Sequence, residues 1–86
     1  MPRVSEFFGI TISMYYDDHN PPHFHAIYRG AEAEVGIDPI GIIQGKLPVR
    51  ALSLVLEWAA LHQAELRSNW LRASEHRPLS KISPLE

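Results

Sequence analysis

The sequence predicts an α+β fold, in which a three- or four-stranded antiparallel β-meander is followed by a C-terminal helical segment packed on one sheet face. Two observations support it: apolar and polar residues alternate in the first half of the chain, and apolar residues recur at helical spacing in the second. The chain has 86 residues, 45% of them hydrophobic and 21% charged. It therefore has room for a single small domain, residues 1–86, with residues 77–86 as an extended C-terminal tail.

The alternating pattern predicts three strands, over residues 10–16, 23–29 and 32–38. A hairpin turn at Gly30 and Ala31 would give the strands one common apolar face. In this register Arg29 lies opposite Glu32, and Gly36 lies opposite His25, where it leaves space beside the imidazole. A fourth short strand is predicted over residues 41–44.

Residues 48–74 have helical periodicity. A straight helix of that length would extend about 40 Å, which exceeds the diameter of a small domain. We therefore expect one bent helix or two helices, with the break near His62 and Gln63. The apolar residues Leu66, Trp70 and Ala73 on the second half predict a homo-oligomer, a dimer in the simplest case.

Composition excludes several classes of protein. Without cysteine the chain cannot form disulfides or thiolate metal sites. Eight basic and ten acidic residues predict that it contacts nucleic acid only weakly or through a partner. No apolar stretch approaches the ~20 residues of a membrane span, and the N-terminal residues lack the apolar core of a signal peptide. We expect a cytoplasmic protein without a membrane partner.

Polar side chains converge at one end of the face opposite the apolar one. His23 and His25 lie on the same face of their predicted strand, close enough for both imidazoles to reach one ion. Imidazole and carboxylate ligands suit a divalent transition metal such as zinc. The candidate metal ligands are His19, His23, His25, Asp17 and Asp38.

Two other interpretations of these residues stay open. In the first, the histidines are structural: they cap strand ends or pack on tyrosines, and Asp38 pairs with His23. In the second, the site works without metal: His23 or His25 is a catalytic acid and base on RNA or phosphate, with Tyr15 beside them and Arg29 as an anion clamp.

Five short motifs in this chain resemble a known family. They are Phe7-Phe8-Gly9-Ile10, Tyr16-Asp17-Asp18-His19, Pro21-Pro22-His23-Phe24-His25-Ala26, Gly45-Lys46-Leu47-Pro48 and Leu56-Glu57-Trp58-Ala59. Their order is similar to that of the bacterial family called domain of unknown function 4160, and the resemblance extends over roughly residues 4–85. It implies a small protein often encoded beside a second small protein, in an arrangement similar to toxin–antitoxin pairs. It implies no catalytic residue.

Two hypotheses for function follow. The first is an interaction or regulatory protein that acts with a genetically paired protein partner, as in a toxin–antitoxin module. The alternative is a small metal- or histidine-dependent hydrolase or ribonuclease that uses His19, His23 and His25.

Overall fold

The first half of the chain forms a five-stranded antiparallel sheet in which every strand pairs with the next one in sequence. The computed structural model describes residues 2–16 and 18–86. The strands are β1 (Arg3–Phe7), β2 (Ile10–Ser13), β3 (His23–Tyr28), β4 (Ala31–Ile37) and β5 (Ile40–Gly45). The α+β meander is thus confirmed, with five strands instead of the three or four predicted.

Strand β1 is the one that the sequence pattern does not reveal. Its pairing with β2 is irregular between Arg3 and Ser5, so that Val4 and Ser5 are both buried although they are neighbours. A β-bulge of this kind interrupts the alternation of inward and outward side chains. The strand therefore lacks the period-two signal that predicts the other strands.

The hairpin between β3 and β4 turns one residue earlier than predicted. Tyr28 pairs with Ala31, and Arg29 and Gly30 form the turn with φ values of 48° and 84°. A two-residue turn with positive φ at both positions matches the right-handed twist of the strands. Arg29 is therefore a turn residue and does not lie opposite Glu32, which pairs with Ile27.

This correction moves the register by two residues, which leaves every side chain on its predicted face because the side-chain period of a strand is two. Phe24, Ala26 and Val35 are accordingly buried in the core. The partners change, however. Gly36 lies opposite His23 instead of His25, and Glu34 lies opposite His25.

Two helices follow the sheet, α1 (Val49–Leu61) and α2 (Gln63–Ser74). The predicted break is confirmed: His62 separates the helices, and its N–H bonds back to the carbonyls of Trp58 and Ala59. Trp58 is fully buried, with its ring centroid 5.4 Å from that of Phe7 and 5.7 Å from that of Phe24. In the part of the chain that the structure describes, no helix is long and apolar enough to cross a membrane.

The apolar residues of α2 face the chain's own core. Leu66 is 0% exposed and Ala73 is 2% exposed, and the half-buried Trp70 lies 5.3 Å from the His23 ring. Leu66 and Ala73 therefore belong to the core and not to a self-association surface, while the homo-oligomer itself stays a prediction.

The C-terminal tail packs along strand β1 and helix α2. Ile82 is buried, and its N–H donates to the Val4 carbonyl at 2.8 Å. The Trp58 indole Nε1 donates to the Ser83 carbonyl at 2.8 Å. The Asn69 side-chain amide donates to the Ser80 carbonyl at 2.8 Å and accepts a hydrogen bond from the Ser80 N–H at 2.9 Å.

Candidate metal centre

Two histidines of β3 and one aspartate of the preceding loop form a compact cluster. His23 and His25 are alternate residues of the strand, so their rings lie on one face, with centroids 5.2 Å apart. The loop before the strand brings Asp18 over them. Asp18 Oδ2 lies 3.0 Å from His23 Nε2 and 3.1 Å from His25 Nε2.

The cluster is shielded from solvent although it lies on the face predicted to be open. The His23 side chain is 1% exposed, that of His25 10% and that of Asp18 13%. Trp70 packs against His23, and the Tyr15 ring meets His25 edge to face at 4.4 Å. Charges and lone pairs therefore interact here more strongly than they would in water.

The second nitrogen of each imidazole is already used as a donor. His23 Nδ1 lies 2.8 Å from the Pro21 carbonyl, which can only accept a hydrogen bond. His25 Nδ1 lies 2.9 Å from the Glu32 carboxylate. With its proton on Nδ1, a neutral His23 ring has a lone pair on Nε2 that points towards Asp18, whereas His25 Nε2 lies at hydrogen-bond distance, 3.1 Å, from Asp18 Oδ2.

The His23 Nε2 lone pair then faces the Asp18 carboxylate oxygen, and the two repel each other unless a proton or a cation lies between them. His23 Nε2 is buried and makes no hydrogen bond within the described residues, although it lies 3.0 Å from Asp18 Oδ2. A buried polar atom without a partner costs about 1–3 kcal/mol. Either added protons or a cation can satisfy the cluster.

The Asp18 carboxylate is held in its charged form. Burial raises its pKa, but this effect is outweighed by the hydrogen bonds from His25 and the His19 backbone N–H, and by the charges of His23 and His25. The net result is a pKa below the ordinary value. Asp18 therefore remains an anion and a potential metal ligand throughout the neutral range.

The lowered pKa of Asp18 predicts how metal-free protein responds to acid. A carboxyl group with a lower pKa in the folded state stabilises the fold above its unfolded-state pKa of about 3.9, and this contribution is lost as the pH falls further. We expect Asp18→Asn to lower the free energy of unfolding by about 1–3 kcal/mol at pH 7, and by progressively less as the pH falls below about 3.9. Urea unfolding in EDTA at several pH values measures the difference; a difference that does not depend on pH would contradict this role.

A second group of potential ligands overlaps the first. His19, His23 and Glu34 have ligand atoms within 4.8 Å of one another. Glu34 Oε1 lies 3.6 Å from His23 Nε2, and His19 Nδ1 lies 3.1 Å from Asp18 Oδ1. The His19 side chain is 73% exposed, so this side of the cluster is the one open to solvent.

Comparison with known proteins places the chain in a family. Residues 9–71 match the family model described as Domain of unknown function (DUF4160). The chain belongs to DUF4160. No curated protein and no solved structure matches the chain significantly.

The structure distributes the predicted site residues of this DUF4160 protein unevenly. It brings His19, His23 and His25 together, with Tyr15 beside them. Burial raises the pKa of the Tyr15 hydroxyl, and the negative charges of Glu32 and Asp18 raise it further, so that Tyr15 can act only as a protonated group near neutral pH.

The remaining predicted residues lie elsewhere. Asp38 is exposed and its Oδ2 pairs with Arg67 at 3.2 Å, so it belongs to neither group of ligands found among the described residues. Arg29 lies in the hairpin turn, with its guanidinium 5.1 Å from the Tyr28 ring centroid. Asp17 lies outside the described residues.

Sequence reasoning misses three carboxylates of the candidate site. It does not include Asp18 among the ligands, and it assigns Glu32 and Glu34 to a strand with the wrong register. The sequence pattern does not reveal the turn at Arg29 and Gly30, and it is this turn that places Glu34 opposite His25. Arginine is an unusual first residue for this turn, which favours Asn, Asp or Gly.

Proposed function

We propose that this DUF4160 protein binds one divalent transition metal ion, with zinc as the first choice, through Asp18, His23 and His25. The observation that supports the proposal is the buried His23 Nε2, which lacks a hydrogen bond while Nδ1 of the same ring donates to the Pro21 carbonyl. Metal-ligating histidines use their second nitrogen in this way, to donate to a backbone carbonyl or a carboxylate. His25 repeats the pattern with Glu32.

Three protein ligands leave a position for water, and this composition is typical of hydrolytic sites. A divalent ion lowers the pKa of a water molecule that it binds and polarises a substrate carbonyl. In ester or amide hydrolysis the water oxygen bonds to the carbonyl carbon, the bond to the leaving oxygen or nitrogen breaks, and the leaving group takes up a proton. Glu34, close to His23 and half-buried, is the candidate base for the water proton.

The charges around the site do not favour the ribonuclease alternative. Within the described residues, the ion pairs of Asp18, Glu32 and Glu34 are all with histidines, so no lysine or arginine pairs with these carboxylates. Arg29, the expected anion clamp, lies at the hairpin turn. An anionic substrate would be repelled by the three carboxylates unless the metal offset them.

Metal binding can be measured directly on untagged, EDTA-treated protein. We expect zinc to bind with a stoichiometry of one in calorimetric titration, and cobalt to give a visible spectrum that reports nitrogen and oxygen ligands. His25→Gln and Asp18→Asn should each weaken binding at least about 100-fold, because each removes a ligand from a set of three. His62→Gln is the matched control, since His62 also bonds a carboxylate, that of Glu65, but lies outside the site.

Two results would overturn the metal proposal: no stoichiometric binding by the wild type, or an equal loss of affinity in His62→Gln. Hydrolysis is tested separately, by comparing zinc-loaded and zinc-free protein on simple esters, amides and phosphodiesters. Turnover that requires zinc and is absent in His25→Gln would support a hydrolase. Tight zinc binding without turnover on any of them would limit the function to metal binding.

A second candidate function is that of a cytoplasmic interaction or regulatory protein with a genetically paired partner, as in a toxin–antitoxin module. It is favoured by the exposure of two large apolar side chains, Phe8 at 59% and Val49 at 85%. Phe8 borders a mostly apolar cleft that Pro48 and Leu54 also line. We expect the neighbouring gene product to co-purify with the wild type and to be lost from Phe8→Ser; separate monomers in the wild-type mixture would contradict this function.

A further inference from the structure

Two depressions flank the proposed metal site on the same face of the sheet, and they differ in chemistry. The first is acidic and is lined by Glu32, Glu34, Gln44 and Gly45. The second is mostly apolar and includes Pro21, Pro22, Gly36 and Ile43 in its lining. His23 lies between them, because Pro21 accepts its Nδ1 proton, Gly36 is its partner on β4 and Glu34 approaches its Nε2.

The acidic depression keeps a net negative charge even beside a bound zinc ion. Among the described residues, Glu32 forms an ion pair only with His25, and Glu34 only with His23. Both histidines are proposed zinc ligands. A zinc ligand is a neutral imidazole, so in the loaded site neither ring neutralises Glu32 or Glu34, and a Zn²⁺ ion together with the carboxylates of Asp18, Glu32 and Glu34 leaves a net charge of −1. The Glu32 side chain is 50% exposed and accessible from solvent.

The apolar depression depends on a glycine. A Cβ atom at Gly36 would lie 2.8 Å from the Pro39 carbonyl oxygen and 3.4 Å from Ile43 Cδ1, and would fill the floor of the groove. Ile43 is 43% exposed although it is a large apolar residue. Glycine at this position keeps open a groove directly beside His23.

We infer that the site takes a small acyl compound that carries an ammonium group and an apolar side chain, such as an α-amino amide or ester. This inference rests on the proposed metal site and adds its substrate class. The ammonium group lies in the acidic depression, where the accessible Glu32 attracts it and Glu34 remains beside the metal as the base. The apolar side chain lies between the prolines and Ile43, and the carbonyl group lies at the metal.

Hydroxamates test this arrangement because the hydroxamate group binds zinc independently of the rest of the molecule. Three probes are compared on zinc-loaded protein by calorimetry: leucine hydroxamate, N-acetyl-leucine hydroxamate, which lacks the charge, and glycine hydroxamate, which lacks the apolar side chain. We expect leucine hydroxamate to bind at least about tenfold more tightly than either of the others, since a buried apolar group alone is worth about that factor. Zinc-free protein is the control and should bind none of them.

Two exposed residues allow each depression to be altered without touching a proposed ligand. Gln44→Lys places a positive charge beside the glutamates and should abolish the preference for the free amine. Ile43→Ser should abolish the preference for leucine over glycine and leave the amine preference intact. Circular dichroism is the check that both variants fold.

The outcomes separate this inference from the proposed function. If the protein binds zinc but the loaded form binds all three probes with equal affinity, or binds none of them, the proposed substrate class is wrong while the metal site stands. Failure of the wild type to bind zinc would overturn the proposed function itself. Preferences that persist in both variants would show that the probes bind elsewhere, and would also overturn the inference.

Discussion

Replacing Trp58 by alanine is expected to lower the free energy of unfolding by about 3–5 kcal/mol, the range found for large aromatic residues in cores. Trp58 is fully buried and packs against Phe7 and Phe24, so it joins α1 to both the first and the third strand. A small domain has a total stability of about 5–15 kcal/mol. We therefore expect a large shift of the urea unfolding midpoint, or a protein that is partly unfolded without denaturant.

Trp58→Phe is the control that separates the loss of core packing from the loss of the hydrogen bond to the C-terminal tail. It keeps an aromatic ring in the core and removes the hydrogen bond from Nε1 to the Ser83 carbonyl. We expect it to cost clearly less than the alanine variant and to increase proteolysis of the tail. A loss below about 1 kcal/mol in Trp58→Ala would show that the indole is not the centre of the core.

Replacing Gly45 by alanine is expected to cost about 2–4 kcal/mol, which combines backbone strain with overpacking. Gly45 has a φ of 77°, and a Cβ atom there would overlap the Glu32 carbonyl oxygen and lie 3.2 Å from the Ala33 Cα. Both neighbours belong to the backbone of β4 and cannot move aside as a flexible side chain could. Because Glu32 bonds His25, we expect zinc affinity to fall together with stability.

Two other glycines provide matched controls for this variant. Gly30 has a φ of 84° but open space where a Cβ atom would lie, so Gly30→Ala isolates the cost of the backbone conformation, about 1 kcal/mol. Gly41 also has open space and no positive φ, so Gly41→Ala should change stability by less than about 0.5 kcal/mol. Equal losses in Gly45→Ala and Gly30→Ala would contradict the steric argument.

The faces of the sheet could be predicted from the sequence, but its pairing could not. Alternation determines which side of a strand is buried, and a shift of two residues leaves that unchanged. The position of the turn depends on whether Arg29 adopts a positive φ, which is a small local preference that tertiary packing decides. The break at His62 was predictable because it followed from the length that a small domain allows.

The candidate site was predictable in its histidines and not in its carboxylates. His23 and His25 share a face because they are two residues apart on a strand, and no register error changes this. Asp18 reaches them from a loop, whose path contains no periodic signal. Glu32 approaches His25 across strands, so its role depended on the hairpin pairing, which was predicted two residues out of register.

The order of the sheet also bears on how the chain folds. Every strand pairs with its neighbour in sequence, so each pairing closes a short loop at a low cost in entropy, and topologies of this kind fold quickly. The tail is the exception, because the Lys81 ammonium bonds the Arg3 carbonyl across a separation of 78 residues. We expect this contact to form after the sheet and to open before it, so that the two ends of the chain part while the proposed metal ligands, all within residues 18–25, remain assembled.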